Sequence, residues 1–194
     1  HKKFGEDLAI LAGDALFLDP FGMIAASALP YAIKVSLILE LSDASGSRGM
    51  VAGQVLDMEG EHKQLTLAEL QTIHANKTGC LLAYPFIAAG LILELQADIA
   101  QLLEKIGKKL GLAFQVRDDI LDLVADFEAL GKTPQKDLVA EKSTYPALLG
   151  LEESKALLTS ELDACEDLLD QITAACDFDP QAIKKLIEGL RIDG

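Results

Sequence analysis

The residues best suited to chemistry are three aspartates in one short run, Gln115-Val116-Arg117-Asp118-Asp119-Ile120-Leu121-Asp122. The surrounding stretch, Gly107 to Val124, carries Leu110, Ala113, Phe114, Ile120, Leu121 and Val124 at helical spacings, which predicts a helix. At about 100° per residue, Gln115, Asp118, Asp119, Asp122 and Asp126 fall on a single face. Carboxylates stacked at i, i+3 and i+4 repel one another and weaken an isolated helix, so a positive partner is expected. Hard oxygen ligands on adjacent turns suit Mg²⁺ that keeps its waters and shares its shell with phosphate oxygens. Ca²⁺ is a poorer fit, because no EF-hand loop with its turn glycine is present. The competing reading is a solvated acidic face, the commoner use of Asp-rich helices. Phe114, Ile120 and Leu121 crowd the cluster and weigh against it.

A second group is His74-x-x-Lys77-Thr78-Gly79. On a helix these three side chains share a face, and a lysine next to a hydroxyl is suited to holding a phosphate oxygen. Taken alone, such a lysine is more often merely solvated, and such a histidine more often packed. Gly53-Gln54-x-x-Asp57 puts an amide and a carboxylate one turn apart behind a glycine that permits close helix approach; helix packing is the simpler explanation of that motif by itself. Lys132 and Lys142 add cations on or near a polar stretch, where lysines ordinarily serve solubility.

The elements that would position these groups are helices. Leu and Ala recur, β-branched runs are scarce, and aromatic residues make up only 5% of the chain with no Trp, a balance that predicts an all-α protein. Gly5 to Leu18 reads as one helix closed by Asp19-Pro20, with a second run ending near Pro30 and a third from Tyr31 to Leu41. Ser45-Gly46-Ser47 is a break, and Met50 to Met58 is helical up to the polar Gly60-Glu61-His62-Lys63. Thr66-Leu67-Ala68-Glu69 is a capping box, which starts a helix running from Leu67 to about Gly90. Another runs from Asp98 towards Val124. Phe127 to Lys142 reads as a long loop, and Glu152 to Ala175 and Pro180 to Leu190 as closing amphipathic helices. No repeat or linker divides the 194 residues, so a single domain is expected.

A formal net charge of −14 argues against nucleic acid and anionic membrane surfaces as partners. An anionic ligand would need metal ions or a local group of lysines. Cys80, Cys165 and Cys176 form no C-x-x-C and are odd in number, which predicts neither zinc nor a disulfide framework and suits the reducing cytoplasm. Glycine, proline or charge interrupts each oily stretch before it reaches the roughly 18 residues of a membrane span, so a soluble chain is expected.

Read together and in order, F-Q-V-R-D-D-I-L-D with the following L-G-K, the upstream G-Q-V-L-D and H-A-N-K-T-G, the opening F-G-E-D-L-A-I-L-A-G-D-A-L and the later Lys142-Ser143-Thr144-Tyr145-Pro146 resemble the polyprenyl (isoprenyl) diphosphate synthase family, especially its bacterial farnesyl diphosphate synthases. The resemblance implies an all-α isoprenoid synthase bundle around a central cavity. It also implies Mg²⁺, with Mn²⁺ as a possible substitute, bound chiefly by Asp118 and Asp119 with Asp122 reinforcing through water. Lys77 and Lys132 match lysines that hold an allylic diphosphate, and Lys142 joins them as a substrate-binding cation. Thr78 and Gln115 match residues lining the reacting carbons, and Phe114 an aromatic beside isopentenyl diphosphate. The implied reaction is head-to-tail condensation of isopentenyl diphosphate with dimethylallyl or geranyl diphosphate, in a homodimer to which the apolar run Phe21 to Leu41 would contribute.

The family's first aspartate-rich motif and its basic Gly-Gly-Lys-Arg segment belong upstream of a segment like His1 to Glu6. The expectation is therefore a chain corresponding to roughly the C-terminal two-thirds of a synthase, with half of a metal site and no activity by itself. Two rivals remain at this stage. A class I terpene cyclase would mix Asp or Asn with Ser or Thr and Glu in its second metal motif, unlike the all-Asp cluster here. A non-catalytic partner subunit of a synthase would also lack the first motif.

Overall fold

The computed structural model describes the backbone of residues 1–130 and 143–192, and the side chains of 1–125 and 143–192. Among the described residues every regular element is helical: α1 (Glu6–Ala26), α2 (Tyr31–Ser45), α3 (Met50–Gly60), α4 (Leu67–His74), a π-helical turn (Ala75–Gly79), α5 (Cys80–Ile92), α6 (Ala97–Leu130), α7 (Tyr145–Leu149), α8 (Leu151–Ala175) and α9 (Gln181–Leu190).

The core is organised around α6, packed between α5 on one side and α8 on the other. Its buried stripe is Ile99, Leu103, Ile106, Leu110, Ala113, Val116 and Ile120, the three-and-four alternation that keeps one side of a helix against its neighbours. From α8, Leu158, Leu162, Cys165, Leu169 and Ile172 answer it, and Ile187 and Leu190 of α9 close the end. On the other side two glycines set the spacing. A Cβ on Gly107 would lie 2.8 Å from the Ala83 Cα, and one on Gly111 2.8 Å from the Gly79 Cα, so α6 meets α5 and the π turn almost backbone to backbone. Lys109 and Glu161 join α6 to α8 by an ion pair of 2.9 Å.

Several expectations are met closely. The capping box forms, with the Glu69 amide donating to Thr66 Oγ1 at 3.3 Å and the Thr66 amide donating to the Glu69 carboxylate at 2.8 Å. The two closing helices run as anticipated.

Others need correction. Asp19-Pro20 does not end the first helix, which continues to Ala26 with Pro20 inside it. Proline removes one backbone donor there but does not stop a helix whose neighbouring bonds persist. The resulting 21-residue α1 is, by length and composition, apolar enough to cross a membrane despite Asp14 and Asp19, against the expectation of no such run. None of its residues is buried. The helix expected from Leu67 to Gly90 is interrupted by the π turn. The loop expected to begin at Phe127 is helical as far as Leu130, and residues 131–142, with Lys132 and Lys142, lie outside the described residues. The five-residue α7 was not anticipated.

Candidate active site

Four elements converge on a cleft of about 430 Å³. From α6 come Gln115, Asp118, Asp119 and Asp122; from α4 and the π turn, His74 and Lys77; from the end of α3 and the loop after it, Asp57, Glu61 and His62; and from the far side, Ser143. The aspartates reach the cleft because the buried stripe of α6 fixes the helix's rotation. Val116 and Ile120 are fully enclosed, which directs the intervening Asp118 and Asp119 away from the core.

Lys77 reaches it through the π turn. Such a turn widens a helix locally and is frequent at functional sites. Here it is braced from both sides, by Gly111 of α6 against Gly79 and by Gly53 of α3 against Lys77 itself, where an added Cβ would lie 2.1 Å from the Lys77 amide nitrogen. This close approach brings Asp57, one turn beyond Gly53, within 2.5 Å of Lys77 Nζ. Both members of the pair are about one-third exposed. The lysine is therefore held extended into the cleft by a carboxylate on a different helix.

Asp119 is anchored differently. Its Oδ2 accepts a 2.9 Å hydrogen bond from the Tyr145 amide at the start of α7. The Tyr145 side chain is fully buried, its ring tilted against His74 at 5.5 Å. Burial, reinforced by the negative charges of Asp119 and Glu161, pushes its phenol well above the ordinary tyrosine range, so it stays protonated.

Among the described residues the lining sets five carboxylates against one ammonium, a surplus of negative charge that suits cations. Among the described residues no three His, Cys, Asp or Glu side chains form a group that would enclose a metal ion by themselves. Carboxylates spread along a helix face suit hard divalent ions that complete their shells with water and ligand oxygens. The residues present fit Mg²⁺ held in that open manner.

Of the residues singled out from the sequence, Lys77, Gln115, Asp118, Asp119 and Asp122 meet at this cleft. Thr78 is half-buried and is not among the residues lining it, and Phe114, also half-buried, packs against the core cluster. Asp57 does line it, as Gln54 does not, which gives the Gly53-Gln54-x-x-Asp57 motif a meaning beyond packing. Ser143 and Tyr145 received no role from spacing. They are distant in sequence from what they touch, and only their place in the Lys142 to Pro146 segment marked them.

Residues 1–178 match the family model for polyprenyl synthetase. The chain is 49% identical over 188 residues to a farnesyl diphosphate synthase of Micrococcus luteus, covering 97% of this chain and 65% of that protein. It is 45% identical over 169 residues to a farnesyl diphosphate synthase of Geobacillus stearothermophilus, covering 86% of this chain and 57% of the relative. Among solved structures, a geranyltransferase of Helicobacter pylori complexed with magnesium and isoprenyl diphosphate superposes with a TM-score of 0.82 at 32% identity, covering 98% of this chain and 62% of that one. The chain thus spans less than two-thirds of the length of each of these proteins. With motifs, helical fold and cleft all in agreement, the chain belongs to the polyprenyl synthetase family.

Proposed function

We propose that the protein containing this chain is a short-chain prenyltransferase, condensing isopentenyl diphosphate with dimethylallyl or geranyl diphosphate to give farnesyl or a similar prenyl diphosphate. The observation that carries this reading is the cleft itself, in which an extended Lys77, held by Asp57, faces the aspartates of α6. An allylic diphosphate needs positive charge around its leaving group, and a carboxylate wall is useful to such an anion only when cations intervene.

Asp118 and Asp119, with Asp122, would hold magnesium, or manganese in its place, which when bound supplies positive charge where the diphosphate leaves. Lys77 binds a diphosphate oxygen with its ammonium, and Asp57 keeps that ammonium aimed into the cleft. As the allylic C1–O bond breaks, its electron pair departs with the diphosphate, and Lys77 stabilises the growing charge. The double bond of isopentenyl diphosphate closes the new carbon–carbon bond at C1, and the proton then lost passes to the departing pyrophosphate. Gln115 offers an amide dipole beside the reacting carbons. Lys132 and Lys142 are proposed as further diphosphate contacts on the strength of the motif alone.

We read the apolar faces of α1 and α2, exposed at Leu8, Leu11, Leu16, Met23, Val35 and Leu39, as part of a homodimer contact, and the cytoplasm as the compartment that suits the free cysteines. The test of function incubates the 194-residue chain, and separately the longest reading frame that contains it, with isopentenyl and geranyl diphosphates while Mg²⁺ is titrated. Magnesium-dependent farnesyl-length or longer product from the longer protein is expected, with little or none from the 194-residue chain. No product from the longer protein at any magnesium concentration overturns the reading.

A further inference from the structure

Three consecutive residues, Ser143-Thr144-Tyr145, tie together parts of the cleft that are otherwise remote in sequence. The Ser143 hydroxyl accepts from the Leu65 amide at 3.1 Å and donates to the Lys63 carbonyl at 3.3 Å, using both its capacities on the loop between α3 and α4. The Tyr145 amide donates to Asp119 Oδ2 at 2.9 Å. Between them Thr144 caps α7, its Oγ1 accepting from the Ala147 amide at 3.3 Å. Pro146 has no N–H, so the amides at the start of α7 divide cleanly: Ala147 goes to the cap, leaving Tyr145 for Asp119. The enclosed Tyr145 ring, packed against His74, fixes the height of this strap over α6.

We propose that Ser143 and Tyr145 are positioning residues, forming a strap that sets the direction of the Asp119 carboxylate and clamps the α3–α4 loop over the same cleft. The inference rests on the functional reading above and deepens it, because it states which groups aim one carboxylate of the magnesium-binding wall. A carboxylate whose Oδ2 is held by a backbone amide cannot swing freely about its side-chain bonds, and a metal ion as demanding of octahedral geometry as Mg²⁺ benefits from that restriction. The clamp adds a connection between this wall and the loop carrying Glu61 and His62, both of which line the cleft. Ser143 is the accessible end of the device and can be changed without touching Asp119.

The experiment compares the parent chain with Ser143→Ala and Ser143→Thr in two measurements. Hydrogen exchange should show the Leu65 amide exchanging about ten-fold faster in Ser143→Ala, with Ser143→Thr close to the parent and α8 amides unchanged in all three. Calorimetric titration with inorganic pyrophosphate, with and without Mg²⁺, should show the magnesium-dependent part of the affinity falling about three- to ten-fold in Ser143→Ala and recovering in Ser143→Thr, while the metal-free part stays the same. Unchanged Leu65 exchange overturns the clamp. Parent-like magnesium dependence in Ser143→Ala, in a chain that does bind magnesium pyrophosphate, overturns the positioning role and leaves the functional reading standing. No magnesium-dependent binding in the parent chain also overturns the positioning role, while the functional reading is decided separately by product formation in the longer protein.

Discussion

Gly53→Ala should damage the site from a position that touches no ligand. A Cβ at Gly53 would lie 2.1 Å from the Lys77 nitrogen and 2.5 Å from its Cα, and real Cβ atoms essentially never come within 3.0 Å of another heavy atom. The obstacle is backbone, so no side chain can rotate away, and α3 must retreat from the π turn by roughly 1 Å. Overpacking of this kind destabilises by about 1–3 kcal/mol, or more where the backbone is rigid. The better helix propensity of alanine returns about 1 kcal/mol, which makes the net loss about 0–2 kcal/mol, or a fall in Tm of up to roughly 8 °C for a chain of this size. The same retreat lengthens the 2.5 Å Asp57–Lys77 pair, so Lys77 loses the contact that keeps it extended. Thermal unfolding followed by circular dichroism measures the first effect, and pyrophosphate affinity, expected to fall several-fold, the second. Gly189→Ala on α9, where an added Cβ meets nothing within 4 Å, is the control and should be neutral or slightly stabilising. A Gly53→Ala chain that melts at or above the parent temperature and binds pyrophosphate equally well would show that the close approach of α3 to the π turn is not what holds Lys77.

Asp118→Ala in the longer protein should lower kcat by orders of magnitude while shifting Tm by no more than a few degrees; undiminished turnover with normal magnesium dependence removes Asp118 from the metal wall. Tyr145→Phe deletes a buried hydroxyl that has no hydrogen-bond partner among the described residues, so it should stabilise by about 1 kcal/mol in denaturant titration, and a loss of that size would reveal a partner for the hydroxyl. Burial, partly offset by the Lys109 ammonium, pushes Cys165 up to about 12 from an ordinary 9.0. The folded state therefore favours the thiol. Its advantage over a Cys165→Ala variant is complete below pH 9 and should decline by about 1.4 kcal/mol per pH unit as the pH rises towards 12. A difference that stays flat over that interval refutes this assignment.

The parts of the fold legible in the sequence are those specified by local chemistry. The capping box places the start of α4, and the apolar periodicities of α6, α8 and α9 identify them because each has one side buried and the other wet. Pro20 misleads for the complementary reason. A proline ends a helix only when nothing else sustains it, and its local rule says nothing of the turns on either side. The π turn could not be foreseen, since its widened geometry is secured by Gly53 and Gly111 on two other helices. The same distinction divides the site. Asp118, Asp119 and Asp122 lie on one helix face and can be read from spacing, whereas the Asp57–Lys77 pair and the strap through Ser143 and Tyr145 join residues 20 to 80 positions apart. Thr78 and Lys77 are neighbours in the motif, yet only Lys77 lines the cleft.

The buried stripe of α6 has a consequence for how this chain tolerates change in length. Substitutions on the wet side of the helix alter one side chain at a time, but losing or gaining a single codon between Ala113 and Val116 would turn everything beyond it by about 100°. Val116 and Ile120 would leave their packed seats and the three aspartates would swing off the cleft together, although every residue type the chemistry needs would still be present. Along this stretch the arithmetic of residue count carries the functional information as much as residue identity does.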